Sequence, residues 1–243
     1  MKTGRTYFVA DLHLTDERPA ATGRFFRFLD EDAAGADALY ILGDLFEAWT
    51  GDDHDEAVAH ETARRLKTLS DAGTRVYFLH GNRDFMLADR YAARSGMTLL
   101  ADPTRIDLYG VPTLLMHGDT LCTDDLAYQR FRRRARHPLS LALLRHLPRG
   151  LRRGLARQAR AGSEAAKASK PAEIMDVNNE EVASVLRETG VARLIHGHTH
   201  RPAEHRHGVD GRDCERWVLP DWYARWGYVV CDAAGCALRV EPL

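Results

Sequence analysis

The sequence predicts an α/β fold, because short apolar runs recur along the chain, helical patterns lie between them, and a polar cluster follows each run. Runs of this length that are rich in branched and aromatic residues are typical of buried strands. Strands that alternate with helices are typical of layered α/β folds. The five runs span residues 7–10, 39–42, 76–79, 113–116 and 193–195, and helical patterns span residues 57–70 and 180–189.

Size and composition are those of an ordinary globular protein. The chain has 243 residues, of which 44% are apolar, and 34 basic and 35 acidic residues give a net charge of −1. A charge this close to zero argues against nucleic-acid binding by the surface as a whole. No apolar run has the length of a membrane-spanning helix, and the first residues lack the pattern of a secretory signal peptide. We therefore expect a cytoplasmic protein that has no membrane-spanning segment.

The four cysteines give no sign of a disulfide framework. Cys122, Cys214, Cys231 and Cys236 are scattered and form no CxxC pair. Reduced thiols are the usual state of cysteines in cytosolic proteins. We therefore expect all four to be free thiols.

One arginine-rich segment interrupts the α/β pattern. From Leu126 to Ser163 the chain has no acidic residue, and it has eleven arginines with seven leucines between them. Pro138, Pro148 and Gly150 are expected to break this segment into separate helices. We predict a helical insertion over residues 122–171, acting as a lid, which divides the core into residues 1–121 and 172–243. The pattern alone is compatible with a solvated face, a nucleic-acid patch or contact with anionic lipid headgroups.

Smaller features near the C-terminal end have weaker functional readings. Residues 228–230 and 237–240 around Gly235 predict a closing hairpin. The nearby tryptophans at 217, 222 and 226 are expected to pack in the interior. His196 is expected to support the site from behind, whereas His205 and His207 are expected to be exposed.

The polar clusters after the five apolar runs contain the ligand types of a two-metal site. In α/β folds, ligands bind at the carboxyl ends of the strands, where all five clusters fall. Nitrogen and oxygen donors without a thiolate suit manganese, iron or zinc. Each short motif alone is more typical of a turn, but five of them at five strand ends are not explained by turns. The candidate ligands are Asp11, His13, Asp44, Asn82, His117, His198 and His200.

The ligands lie in five short motifs, which in chain order are Asp-x-His (11–13), Gly-Asp (43–44), Gly-Asn (81–82), a single His (117) and Gly-His-x-His (197–200). In this order they resemble the signature of the calcineurin-like metallophosphoesterases, and the resemblance covers nearly the whole chain outside the insertion. It implies a fold of two packed mixed β-sheets flanked by helices, and two divalent ions, most simply Mn2+. One ion would be held by Asp11, His13, Asp44 and His200. The other would be held by Asp44, Asn82, His117 and His198, so that Asp44 bridges the pair.

Arg83 departs from the family pattern, which usually has histidine after the Gly-Asn motif. By resemblance, that histidine assists an alkoxide leaving group. Arginine stays charged and cannot act as an acid, but it grips phosphate well. A phosphate leaving group, whose second pKa is about 6, needs no proton at neutral pH. We therefore expect cleavage of a pyrophosphate rather than a monoester, with Asn82, Arg83 and Asp44 in catalytic roles.

Further stretches are similar to the branch of the family that hydrolyses UDP-2,3-diacylglucosamine in lipid A biosynthesis. The matching stretches are residues 10–14, 43–49, 81–85, 117–125, 174–178 and 196–202. The resemblance implies release of UMP and lipid X, and peripheral contact of the basic lid with the anionic cytoplasmic face of the inner membrane. It implies substrate contacts from Asn82, Arg83, Asp125, Ser163, Lys167, Lys170 and His198.

Three other functions stay open at this stage. Another nucleotide pyrophosphatase or phosphodiesterase of the same family would act on small soluble nucleotides. A scaffold that has lost its metals would bind partners without catalysis, although the seven candidate ligands argue against this. A nucleic-acid binder that uses the arginine-rich helices would show steep salt dependence.

Overall fold

The computed structural model describes residues 4–169 and 176–243, and the side chains of residues 163–169 fall outside the description. The strands in these ranges are β1 (Thr6–Val9), β2 (Ala38–Ile41), β3 (Arg75–Leu79), β4 (Met97–Leu100), β5 (Thr104–Leu108), β6 (Val111–Leu115), β7 (Arg193–His196), β8 (Ala203–Val209), β9 (Arg212–Val218), β10 (Arg225–Asp232) and β11 (Gly235–Pro242). The α-helices are α1 (Pro19–Glu31), α2 (Ala57–Asp71), α3 (Asp89–Ser95), α4 (Leu126–Ala135), α5 (Pro138–His146), α6 (Arg149–Ser169) and α7 (Asn179–Thr189).

Two mixed sheets form the centre of the molecule, as predicted. The first has the strand order β11-β10-β1-β2-β3-β4, in which β1 to β4 are parallel and β10 and β11 are antiparallel. The second has the order β5-β6-β7-β9-β8, with β6, β7 and β9 parallel. The parallel strands place the ends of β1, β2, β3, β6 and β7 at one edge of the paired sheets.

The apolar core consists of separate clusters, and successive residues of a strand point into different clusters. Along β1, Tyr7 and Val9 point to the apolar cluster under α1 and α2, whereas Phe8 points to the cluster between the two sheets. Along β7, Leu194 packs under α7 and Ile195 packs between the sheets. Strands that are buried on both faces read as continuous apolar runs rather than as alternation. This is why the sequence shows these five strands clearly.

The predicted helices begin and end where local signals place them. In α7 the Asn178 side chain accepts hydrogen bonds from the backbone N–H groups of Glu180 and Glu181, and Gly190 ends the helix in the left-handed conformation. Both features satisfy backbone groups that helix ends leave unpaired. The observed bounds of α2 and α7 agree with the predicted ranges within one residue.

Three helices, α4, α5 and α6, occupy the arginine-rich segment. They are separated at Arg136–His137 and at Leu147–Pro148, close to the expected proline breaks. Leu141 and Leu144 on α5 pack against the core cluster under α1 and α2. Leu139 and Leu143 on the same helix are 76% and 65% exposed. The segment therefore has an inner apolar side and an outer one. No helix in the described ranges combines the length and the low polarity needed to cross a bilayer.

The C-terminal hairpin is present as β10 and β11, but the expectation of four free thiols is wrong. Cys231 and Cys236 face each other across the hairpin, with a Cα–Cα separation of 4.0 Å, and form a disulfide. The two cysteines are five residues apart in the chain, and the hairpin places them directly opposite each other. The sequence spacing was not recognised as that of a disulfide across a hairpin. Cys122 and Cys214 are free and buried.

Candidate metal centre

Loops at the carboxyl ends of the five predicted strands lie side by side and are joined by backbone hydrogen bonds. The N–H of Asp11 donates to Gly43 O at 3.1 Å, and that of His13 donates to Asp44 O at 2.9 Å. On the second sheet, the N–H of Gly197 donates to His117 O at 2.9 Å. The candidate ligands therefore sit on a framework that holds neighbouring loops in register.

Five of the seven candidate ligands have a left-handed backbone, with φ between 50° and 70°. This conformation is uncommon for residues other than glycine, and it costs about 1–3 kcal/mol each. Non-glycine residues persist there when the surrounding structure holds them, and such positions cluster at functional sites. The five are Asp11, His13, Asp44, His198 and His200.

Glycines next to the ligands allow the loops to approach each other closely. A Cβ at Gly81 would lie 2.1 Å from Oδ1 of Asp44, and a Cβ at Gly43 would lie 2.5 Å from the backbone of Gly81. Gly43 also has φ of +91°. Side chains at these positions would push the two loops apart, so glycine is required for the observed contact.

The first group of donor atoms is formed by Asp11, His13 and His200, whose ligand atoms lie within 4.8 Å of one another. Oδ1 of Asp11 lies 3.4 Å from Nε2 of His200 and 4.0 Å from Nε2 of His13. The backbone N–H of His198 donates to Oδ2 of Asp11 at 2.8 Å, which leaves Oδ1 directed toward the two histidines.

The second group is formed by Asp11, Asp44 and His117. Oδ1 of Asp44 lies 4.0 Å from Nε2 of His117, and Oδ2 lies 3.8 Å from Nε2 of His13. The two oxygens of Asp44 therefore face histidines of different groups. Nδ1 of His117 donates to the carbonyl of Leu42 at 2.8 Å, which directs the lone pair of Nε2 into the site.

Asn82 and His198 join the second group. Oδ1 of Asn82 lies 3.0 Å from Nε2 of His117 and 3.0 Å from Nδ1 of His198. Burial, together with repulsion from His117, lowers the pKa of His198 to about 3, so its ring is neutral. The structure thus brings all seven candidate ligands together at one end of the sheets.

Buried charge at this site favours a cation. Burial, together with the neighbouring carboxylate of Asp84, raises the pKa of Asp44 to about 7 against the attraction of His117. Burial alone would lower the pKa of His117, but attraction to Asp44 and Asp119 outweighs it and raises that pKa to about 9. Buried carboxylates need compensating positive charge. A divalent cation supplies it when its histidine ligands are neutral, and the nitrogen and oxygen donors fit such an ion.

Asp84 supports the loops of the candidate site, a role that sequence reasoning did not assign. It is fully buried, and its carboxylate accepts hydrogen bonds from the backbone N–H groups of Gly81 at 2.8 Å, Leu45 at 2.7 Å and Asp44 at 3.3 Å. It therefore ties the loop of Asn82 to the loop of Asp44. The sequence placed Asp84 beside the Gly-Asn motif but offered no signal for this role.

Asp119 is a second missed residue, and it connects the site to α4. Its buried Oδ2 accepts from the hydroxyl of Tyr128 at 2.7 Å and from Nε of Arg132 at 2.7 Å, with Arg136 at 3.4 Å. Arg136 also donates to Gly81 O at 2.9 Å. The aromatic ring of Tyr128 lies 5.8 Å from the ring of His198.

Glu47 makes the corresponding connection to α6. Its carboxylate lies 3.7 Å from Nδ1 of His13 and 3.2 Å from Arg160, and accepts from the hydroxyl of Tyr223 at 3.1 Å. The Tyr223 ring lies 5.0 Å from the ring of His13. Nearby, Arg152 donates to Thr50 O at 2.5 Å and pairs with Asp53. Arginines of the insertion therefore differ in role, because some of them, such as Arg152 and Arg160, bind carboxylate or carbonyl groups of the core.

The predicted substrate contacts are only partly described by the structure. Arg83 follows Asn82 and its backbone N–H donates to Oδ1 of Asp44 at 2.7 Å. The side chain of Asp125 caps α4 by accepting from the N–H of Tyr128 at 3.0 Å. Ser163 and Lys167 lie on α6, but their side chains are outside the described part, and Lys170 is outside the described residues.

The remaining histidines and tryptophans give one confirmation and one correction. Trp217, Trp222 and Trp226 are buried and pack in the interior, as expected. The prediction that His205 and His207 are exposed is wrong, because both are half-buried on the face of β8 that meets Arg216. Nε of Arg216 donates a hydrogen bond to His207 at 3.1 Å. The strand β8 was not predicted, so its alternation could not be used.

Comparison with known proteins gives matches over nearly the whole chain. Residues 4–202 match the family model for calcineurin-like phosphoesterases. A Pseudomonas aeruginosa protein named UDP-2,3-diacylglucosamine hydrolase is 53% identical over 236 residues, which covers 97% of this chain and 98% of that protein. A protein of the same name from Azotobacter vinelandii is 50% identical over 238 residues, covering 98% and 99%. The solved structure of Vacuolar Protein Sorting 29 from Cryptosporidium parvum aligns with a TM-score of 0.50 at 13% identity, covering 98% of this chain and 91% of that one, and this likeness concerns the fold alone.

Proposed function

The chain belongs to the calcineurin-like phosphoesterase family, and on this basis we propose that it hydrolyses the pyrophosphate bond of UDP-2,3-diacylglucosamine. The products are UMP and 2,3-diacylglucosamine 1-phosphate (lipid X), an intermediate of lipid A biosynthesis. Relatives that are 50% and 53% identical over nearly the full chain carry the name of that hydrolase, which supports the assignment of this substrate.

The observation that carries the proposal is the position of Asp44 between two groups of donor atoms. One carboxylate oxygen faces His13 and the other faces His117, at 3.8 and 4.0 Å. This arrangement is what a carboxylate that bridges two cations requires. We assign Asp11, His13, Asp44 and His200 to one divalent ion, and Asp44, Asn82, His117 and His198 to the other.

Manganese is the proposed ion at both positions, because the family resemblance implies it and the carboxylate, amide and imidazole donors without a thiolate are compatible with it. When bound, divalent ions supply a nucleophile at neutral pH by lowering the pKa of water. The protein contributes the fixed positions of the ligands, through the hydrogen bonds that Asp84 accepts and through the carbonyl of Leu42 behind His117. Such outer contacts hold ligand orientation.

The proposed bond changes are those of an in-line displacement at the alpha phosphorus of the UDP moiety. The oxygen of water bonds to this phosphorus, and the bond from it to the bridging oxygen breaks. Lipid X then leaves as a phosphate monoester, which needs no proton at neutral pH. Hydrolysis in oxygen-18 water should label UMP, and label found in lipid X would contradict this direction of attack.

Arg83 is assigned to the phosphate groups of the substrate. Its backbone is held by Asp44, so the side chain starts from the floor of the site. A guanidinium there would neutralise charge on the phosphoryl oxygens as the bond breaks. Asn82 and His198 would contact the same groups, and Asp125, Ser163, Lys167 and Lys170 are proposed to contact the sugar and phosphate of the lipid half.

We also propose that residues 122–171 form a lid between the core segments 1–121 and 172–243. The lid would receive the acyl chains, since each methylene removed from water is worth about 0.8 kcal/mol. Its outer side has exposed Leu139, Leu143, Leu151 and Leu155 among exposed arginines. This surface suits peripheral contact with the anionic cytoplasmic face of the inner membrane.

The test is an assay of UMP release from UDP-2,3-diacylglucosamine by the manganese-supplemented protein, beside UDP-glucosamine without acyl chains. The expected result is rapid release from the lipid substrate and slow release from the soluble one. Equal rates on the two substrates would contradict the lipid part of the proposal, and no release from either would contradict the whole of it.

A further inference from the structure

A cavity of about 360 Å³ opens beside His200, and residues of β8 and β9 contribute to its lining. Its lining includes Thr199, Arg201, Ala203, His205 and Arg216. The volume lies in the range of small-ligand sites, which begins at about 300 Å³. No residue expected to contact the lipid half of the substrate lines it.

Arg216 is the unusual member of this lining. Arg216 is 5% exposed, and within the described ranges its side-chain hydrogen-bonding contacts are with His207 and His196 rather than with carboxylates. Nδ1 of His196 lies 2.9 Å from Gly197 O, which can only accept, so the neutral ring presents an acceptor to Arg216 at 3.2 Å. In the part of the chain that is described, no carboxylate forms an ion pair with this guanidinium.

The other charged groups of the cavity compensate each other. Arg201 pairs with Asp176, and Nε of Arg225 lies 3.4 Å from Asp221. Arg216 is therefore the lining charge that lacks an ionic partner among the described residues. Burying a cation without an anion is costly, so the site is suited to an anionic ligand.

A second observation also points to a ligand. The hydroxyl of Thr199 is buried and has no hydrogen-bond partner within the described ranges. Thr199 is a lining residue of the same cavity as Arg216 and lies between the candidate ligands His198 and His200 in the chain. A polar ligand in the cavity would satisfy this hydroxyl, and a buried polar group without a partner otherwise costs about 1–3 kcal/mol.

We infer that this cavity binds the nucleoside monophosphate half of the substrate, with the phosphate next to Thr199 and Arg216. The inference rests on the proposed function, because it names the position of the half that leaves as UMP. Residues of β8 and β9 contribute to the lining of this cavity, and no described residue of α4 to α6 does. The two halves of a lipid nucleotide would then extend in different directions from the candidate metal centre.

Equilibrium binding tests this inference without any catalytic step. UMP, uridine and inorganic phosphate are titrated calorimetrically into the full chain after treatment with a chelator, so that bound metal does not contribute. UMP should bind, and uridine and inorganic phosphate should each bind at least about tenfold more weakly. Arg216→Met should weaken UMP binding by about tenfold or more. Ala203→Phe, which fills the cavity and leaves the contacts of Arg216 in place, should do the same.

Arg206→Met is the matched control, because Arg206 lies on β8, which pairs with the strand of Arg216, and its side chain is exposed and pairs with Glu215. It should bind UMP as the unaltered chain does. Circular dichroism identifies variants that fail to fold. If Arg216→Met does not fold, the result for Ala203→Phe is used in its place. Absence of UMP binding, equal affinity for inorganic phosphate, or unchanged affinity in a folded cavity variant would each overturn the inference. UMP release from the lipid nucleotide is measured separately, so loss of one result does not imply loss of the other.

Discussion

The hydroxyl of Tyr128 donates a hydrogen bond of 2.7 Å to the carboxylate of Asp119, and this contact joins α4 to the loop of the candidate metal centre. Asp119 follows His117 by two residues, and Tyr128 lies on the first turn of α4. The position of the proposed lid is therefore coupled to the same loop that presents a candidate metal ligand.

Replacement of Asp119 by Asn should weaken this connection. The variant removes the carboxylate that Arg132 and Arg136 share and leaves Arg132 only its longer contact with Asp102, so the free energy of unfolding should fall by about 2–3 kcal/mol. The KM for the lipid substrate should rise more than kcat falls, because the change displaces the lid. Tyr128→Phe removes a single hydrogen bond and should cost about 1 kcal/mol. Unchanged unfolding in urea and unchanged KM would argue against the coupling.

Asp84→Ala should be strongly destabilising. The substitution leaves three backbone N–H groups without their buried acceptor, and the expected loss is about 3 kcal/mol in the free energy of unfolding. Urea denaturation measures it. Asp71→Ala is the control, because this exposed carboxylate pairs with Lys67 at the surface, where an ion pair contributes less than about 1 kcal/mol. Equal effects of the two substitutions would show that Asp84 has no special structural role.

Asp44→Asn should reduce metal content as well as activity. Elemental analysis after dialysis against manganese should find about two ions per unaltered chain and at most one in the variant, since the bridging carboxylate is lost. UMP release should fall by at least about a hundredfold. Chelation of the unaltered protein should abolish release, and manganese should restore it. A variant that retains both ions and full activity is incompatible with a bridging role for Asp44.

Arg83→Ala should separate the two kinds of phosphate substrate. Cleavage of the pyrophosphate should fall by about a hundredfold or more, as for removal of one donor to a transition state. Hydrolysis of p-nitrophenyl phosphate should be preserved, because Arg83 is assigned to a phosphate leaving group. Arg83→Lys keeps the charge without the planar fork and should be intermediate. The reverse pattern, with the monoester activity lost and the pyrophosphatase activity kept, would contradict the assignment.

A double variant, Leu139→Gln with Leu143→Gln, should bind anionic vesicles less well. Both side chains are largely exposed on α5, and burying a leucine at a membrane is worth roughly 1.5–3 kcal/mol. Cosedimentation with phosphatidylglycerol vesicles should show at least about a tenfold loss of binding. Val240→Gln is the control, since Val240 is an exposed apolar residue on β11. Equal binding by all three proteins would remove the membrane surface from α5.

The sequence predicted the strands that are buried on both faces and the C-terminal hairpin of β10 and β11, and it missed β4, β5, β8 and β9. Strands β1, β2, β3, β6 and β7 are continuous apolar runs, and each was predicted. Strands β8 and β9 are rich in histidine and arginine, so their sequences resemble exposed loops. They became recognisable as strands only in the structure, where β9 pairs with β7 and β8 pairs with β9.

The candidate ligands could be found in the sequence because each has its own short motif, but their supports could not. Asp84, Asp119 and Glu47 act through contacts with backbone or with distant helices. The ion pair of Glu47 and Arg160, for example, joins two segments more than a hundred residues apart in the chain. Nothing in the local sequence of either residue indicates the other.

The sequence by itself determined the fold class and the set of candidate metal ligands, because hydrophobic periodicity and motif order are local properties. The tertiary structure decided which charges are used inside the protein. Among the arginines of residues 126–163, Arg132, Arg136 and Arg152 turn inward to carboxylates or carbonyl groups, whereas Leu139 and Leu143 stay exposed beside the rest. Burial and ion pairing depend on the position of distant segments in space, which a linear pattern of similar residues does not encode.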